Sequence, residues 1–295
     1  MSVRMAVVAG QFYESSSQAC REQVEAMLAQ ARAVEQKGEL PARLTAAVVP
    51  HAGWVFSGPL AAMVFAAVKQ RQEVDSFVIF GAVHSVMARM GIVYDTGQWG
   101  TPLGKIDVDE ELAEEILRHG DELLLADPES HSREHSIEVQ VPFIQYLFEG
   151  AKILPIMVPP IPRADEIGRM VGQAVARSDK KIVCIASTDL THYGPSYHYT
   201  PMGTGPKAIQ WAKDQNDRFF IDLALSMQAD KLVESAQMYN SACGAGAVAA
   251  AVAAAGVLGA KKGYLLAHTT SAEVMARQYH RQSEDSVGYA AIVYG

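Results

Sequence analysis

Short apolar runs alternate along the chain with longer segments in which apolar residues recur every three to four positions. Runs rich in Val and Ile predict strands and the periodic segments predict helices, so the pattern indicates an α/β fold around a central sheet. The predicted strands are MAVVA (5–9), TAAVVP (45–50), SFVIFG (76–81), GIVYD (91–95), AKILPIMV (151–158), KIVCIAS (181–187), KGYLLAHTT (262–270) and SVGYAAIVYG (286–295).

Three segments predict helices most clearly. Residues 16–36 begin with serine and carry an apolar stripe, and residues 109–120 have acidic residues in the first turn and glycine after the last. The alanine-rich run 245–260 predicts a helix packed closely on the sheet. No linker, internal repeat or shift in composition divides the sequence, so we expect one domain over residues 1–295.

Composition narrows the class of protein. Hydrophobic residues make up 49% and charged residues 20% of the 295 residues, which is typical of a soluble globular protein. The formal charge is −8 and no run is rich in Lys or Arg, so we expect no nucleic-acid partner. The beginning of the sequence lacks the pattern of a secretory leader, and no apolar run is long enough to span a membrane. Three widely separated cysteines predict reduced thiols and a cytoplasmic protein.

Three of the predicted strands run directly into histidine or aspartate. TAAVVP is followed by His51, SFVIFG leads to His84, and KIVCIAS leads to Asp189 and His192. Neighbouring strands lie about 5 Å apart, so side chains that leave the carboxyl ends of adjacent strands can meet at one point. A lone histidine after a strand is more often structural, but three such histidines together predict a site.

Cysteine can complete this site. We expect Cys243 in the first turn of the alanine-rich helix, capped by Ser241, where unpaired N–H groups favour a thiolate. The imidazoles of His51 and His84 with this thiolate would form a three-ligand metal site that leaves coordination positions open. The plainer interpretation is that Cys243 is a small packing residue.

Further polar and aromatic residues accompany these candidates. His135 and Glu138, three residues apart in HSREHSIEVQVPF, would share a face at the start of a helix and suit acid–base or supporting roles. Trp54, Phe56 and Tyr193 are candidates for an apolar wall around a small ligand. The Gly- and Pro-rich loop 196–206 follows the site residues and is a candidate cover.

Four motifs carry a resemblance to a known family. PHAGW, HSREHSIEVQVPF, STDLTHYG and SACG, in this order, resemble the Memo family, whose bacterial and archaeal members are called AmmeMemoRadiSam system protein B. The opening VVAGQFYESS is similar to that family's start, and the resemblance extends from about residue 7 to 293.

The resemblance implies a fold and a site. The Memo fold is similar to that of the LigB-like class III extradiol dioxygenases, a single-domain α/β sandwich with a central mixed sheet flanked by helices. Those enzymes hold non-haem Fe(II) through two histidines and a glutamate. By resemblance His51 and His84 are the histidine ligands, Cys243 replaces the carboxylate, and His192 takes the acid–base position with Asp189 nearby. By this resemblance Fe(II) is the expected cofactor, and because thiolate is a softer ligand than carboxylate, Cu or Zn are alternatives.

Two departures from the family motifs concern the surroundings of the site. The sequence has GAVHS where the family has a second histidine after the first, and CGAG where many members have arginine. These changes alter the hydrogen bonds around the ligands and remove an anchor for an anionic substrate.

Three functions stay open at this point. The first is a non-haem iron oxidoreductase, dioxygenase-like, acting on an unknown small substrate, and the second is metal-independent thiol chemistry at Cys243 and His192. The third is a non-enzymatic binding or signalling module that holds a peptide in the old active-site cleft, as animal members are described as signalling mediators. The family name further implies a pathway link to an AMMECR-like protein and a radical SAM enzyme.

Overall fold

Twelve strands and ten α-helices are present in the computed structural model, which describes residues 2–33, 40–84, 86–120 and 122–295. The strands are β1 (Val3–Arg4), β2 (Ala46–Val49), β3 (Ser76–Gly81), β4 (Gly91–Val93), β5 (Gln98–Thr101), β6 (Gly104–Asp107), β7 (Leu124–Ala126), β8 (Lys152–Met157), β9 (Ile182–Ser187), β10 (His192–Tyr193), β11 (Gly263–Thr270) and β12 (Ser286–Tyr294). The helices are α1 (Ser17–Ala33), α2 (Trp54–Lys69), α3 (Glu110–Arg118), α4 (Val141–Leu147), α5 (Ala164–Arg177), α6 (Pro206–Trp211), α7 (Arg218–Leu225), α8 (Ala229–Tyr239), α9 (Ala245–Val257) and α10 (Ser271–Tyr279). Three short 3₁₀ turns and a π-helical segment, Ala212–Asp217, complete the fold.

The main sheet is mixed, with a parallel centre. Its strand order is β10-β12-β2-β9-β3-β8-β4-β7, and β11 pairs with β12. Strands β2, β9, β3 and β8 are parallel to one another, whereas β12 runs antiparallel to β2 and β4 runs antiparallel to β8. All residues of β2, β3 and β9 are buried, as expected of apolar strands covered on both faces. The predicted α/β class with a central mixed sheet flanked by helices is confirmed.

The alanine-rich helix α9 lies in the core. Its residues from Ala245 to Ala255 are all buried, because one side packs on the sheet and another on α5. The close approach to α5 depends on small residues: a Cβ added at Gly168 would lie 2.0 Å from the carbonyl oxygen of Ala250. The sequence-based prediction of a helix packed closely on the sheet is confirmed.

Several predicted strands differ from the structure. The run 5–9 is not a strand; the backbone N–H groups of Val7 and Val8 donate to the Glu138 carboxylate instead, and the neighbouring strand is β1. The hairpin β5–β6 and the short strands β7 and β10 were not predicted, because they are two to four residues long and carry little apolar alternation. The predicted helix 16–36 is α1 as far as Ala33, and its last residues lie outside the described part of the chain.

Within the described ranges, no helix combines the length and apolar character needed to cross a bilayer.

Candidate metal centre

The strand order brings the predicted site residues together. Strand β9 lies between β2 and β3 and is parallel to both, so the carboxyl ends of all three strands lie at the same end of the sheet. His51 follows β2, Asp189 follows β9 and His84 follows β3. The predicted convergence at this edge is therefore present, with Asp189 between the two histidines in strand order.

His51 and Cys243 are in direct contact. The Cys243 Sγ lies 3.2 Å from His51 Nε2, although the two residues are 192 positions apart in sequence. One ligand atom each from His51, His84 and Cys243 lies within 4.8 Å of the other two. His51 is almost fully buried, whereas His84 and Cys243 are partly exposed. Two imidazoles and a sulfur thus surround one point at the end of the sheet.

A hydrogen-bond chain fixes the tautomer of His51. The Ser187 hydroxyl donates its only proton to the carbonyl oxygen of Ser136 (2.7 Å) and accepts from the amide of Gln140 (3.1 Å). Ser187 must therefore also accept from His51 Nδ1, 3.1 Å away. With its proton on Nδ1, a neutral His51 keeps the Nε2 lone pair available for a metal ion, which is the form that binds one.

Glu134 holds His84 in the same way, a role that the sequence pattern did not predict. Its fully buried carboxylate accepts from His84 Nδ1 (3.0 Å), from the backbone N–H of His84 (2.9 Å) and from that of Ser136 (2.8 Å). A carboxylate on the outer nitrogen of a ligating histidine is a common support of metal sites. The available signal was its position, one residue before His135, but its partner His84 is 50 residues distant.

Electrostatics favour a thiolate at Cys243. Burial alone would raise the pKa of Cys243, but His51 and His84 outweigh it and lower that pKa to about 6. Burial lowers the pKa of His51. For His84, burial acts in the same direction, yet hydrogen bonds to Cys243 and Glu134 raise its pKa to about 10. Without metal the centre therefore carries a negative sulfur beside a positive His84.

Asp189 and His192 lie beside these donors. The Asp189 carboxylate accepts from the backbone N–H of His51 (2.8 Å), and the Asp189 N–H points at Cys243 Sγ (3.3 Å). Burial raises the pKa of Asp189 to about 6, against the lowering effect of His192. His192 donates from Nδ1 to the carbonyl oxygen of Leu190 (3.0 Å), so its neutral form keeps an accepting nitrogen.

His135 lies at the site, whereas Glu138 lies away from it. The His135 ring stacks on His84, with ring centroids 4.8 Å apart, and burial lowers its pKa. Glu138 instead forms an ion pair with Arg4 (2.8 Å) and accepts from the Tyr13 hydroxyl (3.0 Å). The expectation that both residues face one side of a helix is not met, because Glu138 begins a 3₁₀ turn and fastens the amino-terminal segment.

The local structure around Cys243 differs from the expectation. Helix α9 begins at Ala245 with Gly244 as its N-cap, so Cys243 precedes the helix by two residues. Ser241 does not cap it; its buried hydroxyl has no hydrogen-bond partner among the described residues. Cys243 is placed instead by contacts with the end of β9, where its N–H donates to the carbonyl oxygen of Asp189 (3.2 Å).

A cavity of about 550 Å³ opens onto these residues. It is lined by His51, His84, His135, Asp189 and His192, and aromatic rings wall it. Of the three predicted wall residues only Phe56 lines it; Trp54 and Tyr193 are buried in the interior, where their polar atoms donate to backbone carbonyls. The other aromatic residues of the wall are Phe12, Tyr197 and Tyr289, and Tyr197 belongs to the predicted covering loop.

The chain is similar to known proteins in sequence and in fold. A family model described as Memo-like protein matches residues 4–293. A MEMO1 family protein of Thermococcus kodakarensis is 37% identical over 301 residues and one of Pyrococcus abyssi is 35% identical over 301 residues, with 99% of each chain covered in both cases. The crystal structure of an uncharacterized protein from Escherichia coli K12 is similar with a TM-score of 0.55, at 15% identity over 86% of this chain and 100% of that one. That last likeness concerns the fold alone.

Proposed function

We propose that this chain, which belongs to the Memo family, is a metalloprotein that holds one iron(II) ion through His51, His84 and Cys243. The proposal includes an oxidoreductase activity, dioxygenase-like, on a small substrate in the adjoining cavity. The observation that carries it is the mutual approach of three donor atoms to within 4.8 Å, two of which belong to His51 and His84 on the wall of that cavity.

The donor set fits a transition metal. Ligands that share one ion at about 2.0–2.3 Å are themselves about 3–4 Å apart, so the 3.2 Å between His51 Nε2 and Cys243 Sγ needs little adjustment. The outer nitrogens of both histidines are held by Ser187 and Glu134, which leaves the inner nitrogens to bind. Imidazole and thiolate suit iron, copper and zinc, and the resemblance to extradiol dioxygenases makes iron our first choice.

The remaining residues of the cavity would handle the substrate and its protons. His192 has an accepting nitrogen in its neutral form and lies on the cavity wall, so it would accept a proton from a bound hydroxyl or thiol group. Asp189 would stabilise the resulting imidazolium, and the neutral His135 would donate to or accept from the substrate's other side. When bound, iron(II) supplies a redox-active centre with coordination positions left for a small ligand. Phe12 and Phe56 would exclude water and hold an apolar substrate body.

Metal analysis of protein purified without oxygen tests the binding part of the proposal. We expect about one iron per chain in the wild-type protein and a loss of most iron in the His51→Ala and Cys243→Ala variants. The His119→Ala variant, altered at an exposed helix end, serves as the matched control and should keep its metal. A wild-type protein without iron, or variants that keep it, would reject the site.

Oxygen uptake tests the chemical part separately. Iron-loaded protein is mixed with small phenols or thiols at an oxygen electrode, and uptake should require both iron and His192. If fully loaded protein takes up no oxygen with any of these compounds, the oxidoreductase proposal fails while metal binding stands.

A second candidate function is metal-independent thiol chemistry. It is favoured by the contact of Cys243 with His51 and by the lowered pKa of Cys243, which together resemble an activated nucleophile. The rate of Cys243 alkylation distinguishes the two: added iron(II) should protect a ligand sulfur, whereas it would leave the rate of a free nucleophile unchanged.

The compartment and the partners are also proposals. We propose a cytoplasmic protein whose three cysteines are reduced, in keeping with Cys20, Cys184 and Cys243 being unpaired. Its partner would be a small molecule or a peptide end in the cavity, and the family name supports a pathway shared with an AMMECR-like protein and a radical SAM enzyme.

A further inference from the structure

A second cavity, of about 700 Å³, lies next to the one at the candidate metal centre. Most of its lining comes from the first half of α2, the end of β11 and one side of α10, and Gln30 of α1 and Lys213 of the π-helical segment complete it. None of the proposed metal donors or proton-handling residues lines it. The volume falls within the range of about 300–1,000 Å³ that is usual for small-molecule sites.

The inner wall of this second cavity is apolar. Phe56, Leu60 and Met63 of α2 face Val274 of α10 across it. Phe56 also lines the cavity at the metal centre, and α10 separates the two, with Ser271 and Met275 on the other side. An alkyl or aryl group in the second cavity would therefore remove apolar surface from water and touch a wall that both cavities share.

The polar edge of the second cavity has one acid, and its charge is already engaged. Glu273 accepts from Lys213, from the Thr269 hydroxyl (2.8 Å) and from the backbone N–H of Thr270 (3.2 Å) as part of the capping box of α10. The His268 imidazole also lines the cavity, and its Nε2 is already engaged by the buried carboxylate of Asp217 (3.0 Å).

Of the two cations that line the cavity, Lys213 is paired with Glu273, whereas Arg277 has no ion-pair partner among the described residues. Its guanidinium is oriented by two neutral acceptors, the Thr269 hydroxyl (3.1 Å) and the Glu273 carbonyl oxygen (3.4 Å). It forms no ion pair with a carboxylate of residues 2–33, 40–84, 86–120 or 122–295. The planar fork of arginine matches a carboxylate, and one free cation calls for one negative charge.

From these observations we infer that the second cavity is a binding site for a small amphipathic monocarboxylate, whose carboxylate pairs with Arg277 and whose apolar chain lies between α2 and α10. A ligand there would contact Phe56, which also lines the cavity at the candidate metal centre. Its binding would not require a metal ion.

Isothermal titration of the protein, residues 1–295, with octanoate and with octanamide tests this site. The two probes share a chain and differ in charge, so the charge of the head group is measured directly. The variants are Arg277→Gln, which removes the cation, and Ala276→Trp, which fills the cavity from an exposed helix position. Arg281→Gln is the matched control, because it removes the same charge from an exposed residue beyond the end of α10.

We expect one octanoate to bind per chain, about 10-fold more weakly in Arg277→Gln, and not at all in Ala276→Trp. Octanamide should bind about 10-fold more weakly than octanoate to the wild-type protein and should be insensitive to Arg277→Gln. Arg281→Gln should bind octanoate like the wild-type protein. The inference is overturned if the wild-type protein binds no octanoate, if both probes bind equally, or if the two arginine variants behave alike.

Discussion

Replacing Glu134 with Gln perturbs the candidate metal centre without touching a donor residue. The Glu134 carboxylate satisfies three donors at once: the imidazole N–H of His84 and the backbone N–H groups of His84 and Ser136. Glutamine offers one oxygen and one amide group in their place. Whichever way the amide is turned, an NH₂ group faces an N–H donor and at least one buried hydrogen bond is lost.

The magnitude follows from these contacts. A buried donor left without a partner costs about 1–3 kcal/mol, so the free energy of unfolding of the metal-free variant should be lower by about that amount. Loss of the partner that orients a ligating histidine lowers metal affinity by about 10–100-fold. A further effect opposes this loss of affinity. A neutral amide in place of the carboxylate lowers the raised pKa of His84, so protons compete less with the metal for that imidazole. The affinity loss should therefore be smaller at low pH and grow as the pH rises.

The assay is a competition titration with a chelator of known affinity, at several pH values, beside chemical unfolding of the metal-free protein. Glu129→Gln is the matched control, since it removes the same charge from an exposed residue of the same segment. If Glu134→Gln folds normally and binds metal as tightly as Glu129→Gln, then His84 is not held for ligation and the assignment is refuted.

Two further predictions concern reactivity and packing. In metal-free protein, iodoacetamide should modify Cys243 with a half-maximal rate near pH 6, because its pKa is lowered and the thiolate persists above that value. Mass spectrometry should find Cys20 and Cys184 unmodified at neutral pH, as burial raises their pKa values to about 11 and about 12; equal labelling of all three would contradict this. Gly168→Ala should lower the free energy of unfolding by about 1–3 kcal/mol, because its Cβ would overlap the backbone of α9. Gly256→Ala, with only one atom at 3.9 Å, should instead be neutral or stabilising by about 0.5–1 kcal/mol in a denaturation series, and equal effects would exclude close helix contact as the cause.

The centre of the fold could be predicted from the sequence because buried parallel strands appear as unbroken apolar runs. That signal fails at the periphery. Strand β7 has only three residues, with Leu125 half exposed, and the apolar run 5–9 looks like a strand although its N–H groups bond the side chain of Glu138. A carboxylate 130 positions away in sequence can replace a neighbouring strand, and no local pattern records this.

The candidate site could be predicted in part for the same reason. His51, His84 and Asp189 follow apolar strands directly, so the topology alone brings them to one edge. The roles of Glu134 and Glu138 could not be read in this way, because both lie in one irregular segment and only the folded structure shows which acid turns toward His84. That residues 1–295 form one domain stays a prediction.

The most direct test of the account is anomalous diffraction at the iron absorption edge from crystals of protein loaded with iron(II) under argon. We expect one strong peak, about 2.0–2.3 Å from a nitrogen of His51, a nitrogen of His84 and the sulfur of Cys243. A peak at any other place, or none at all in crystals whose solution sample contains iron, would contradict it.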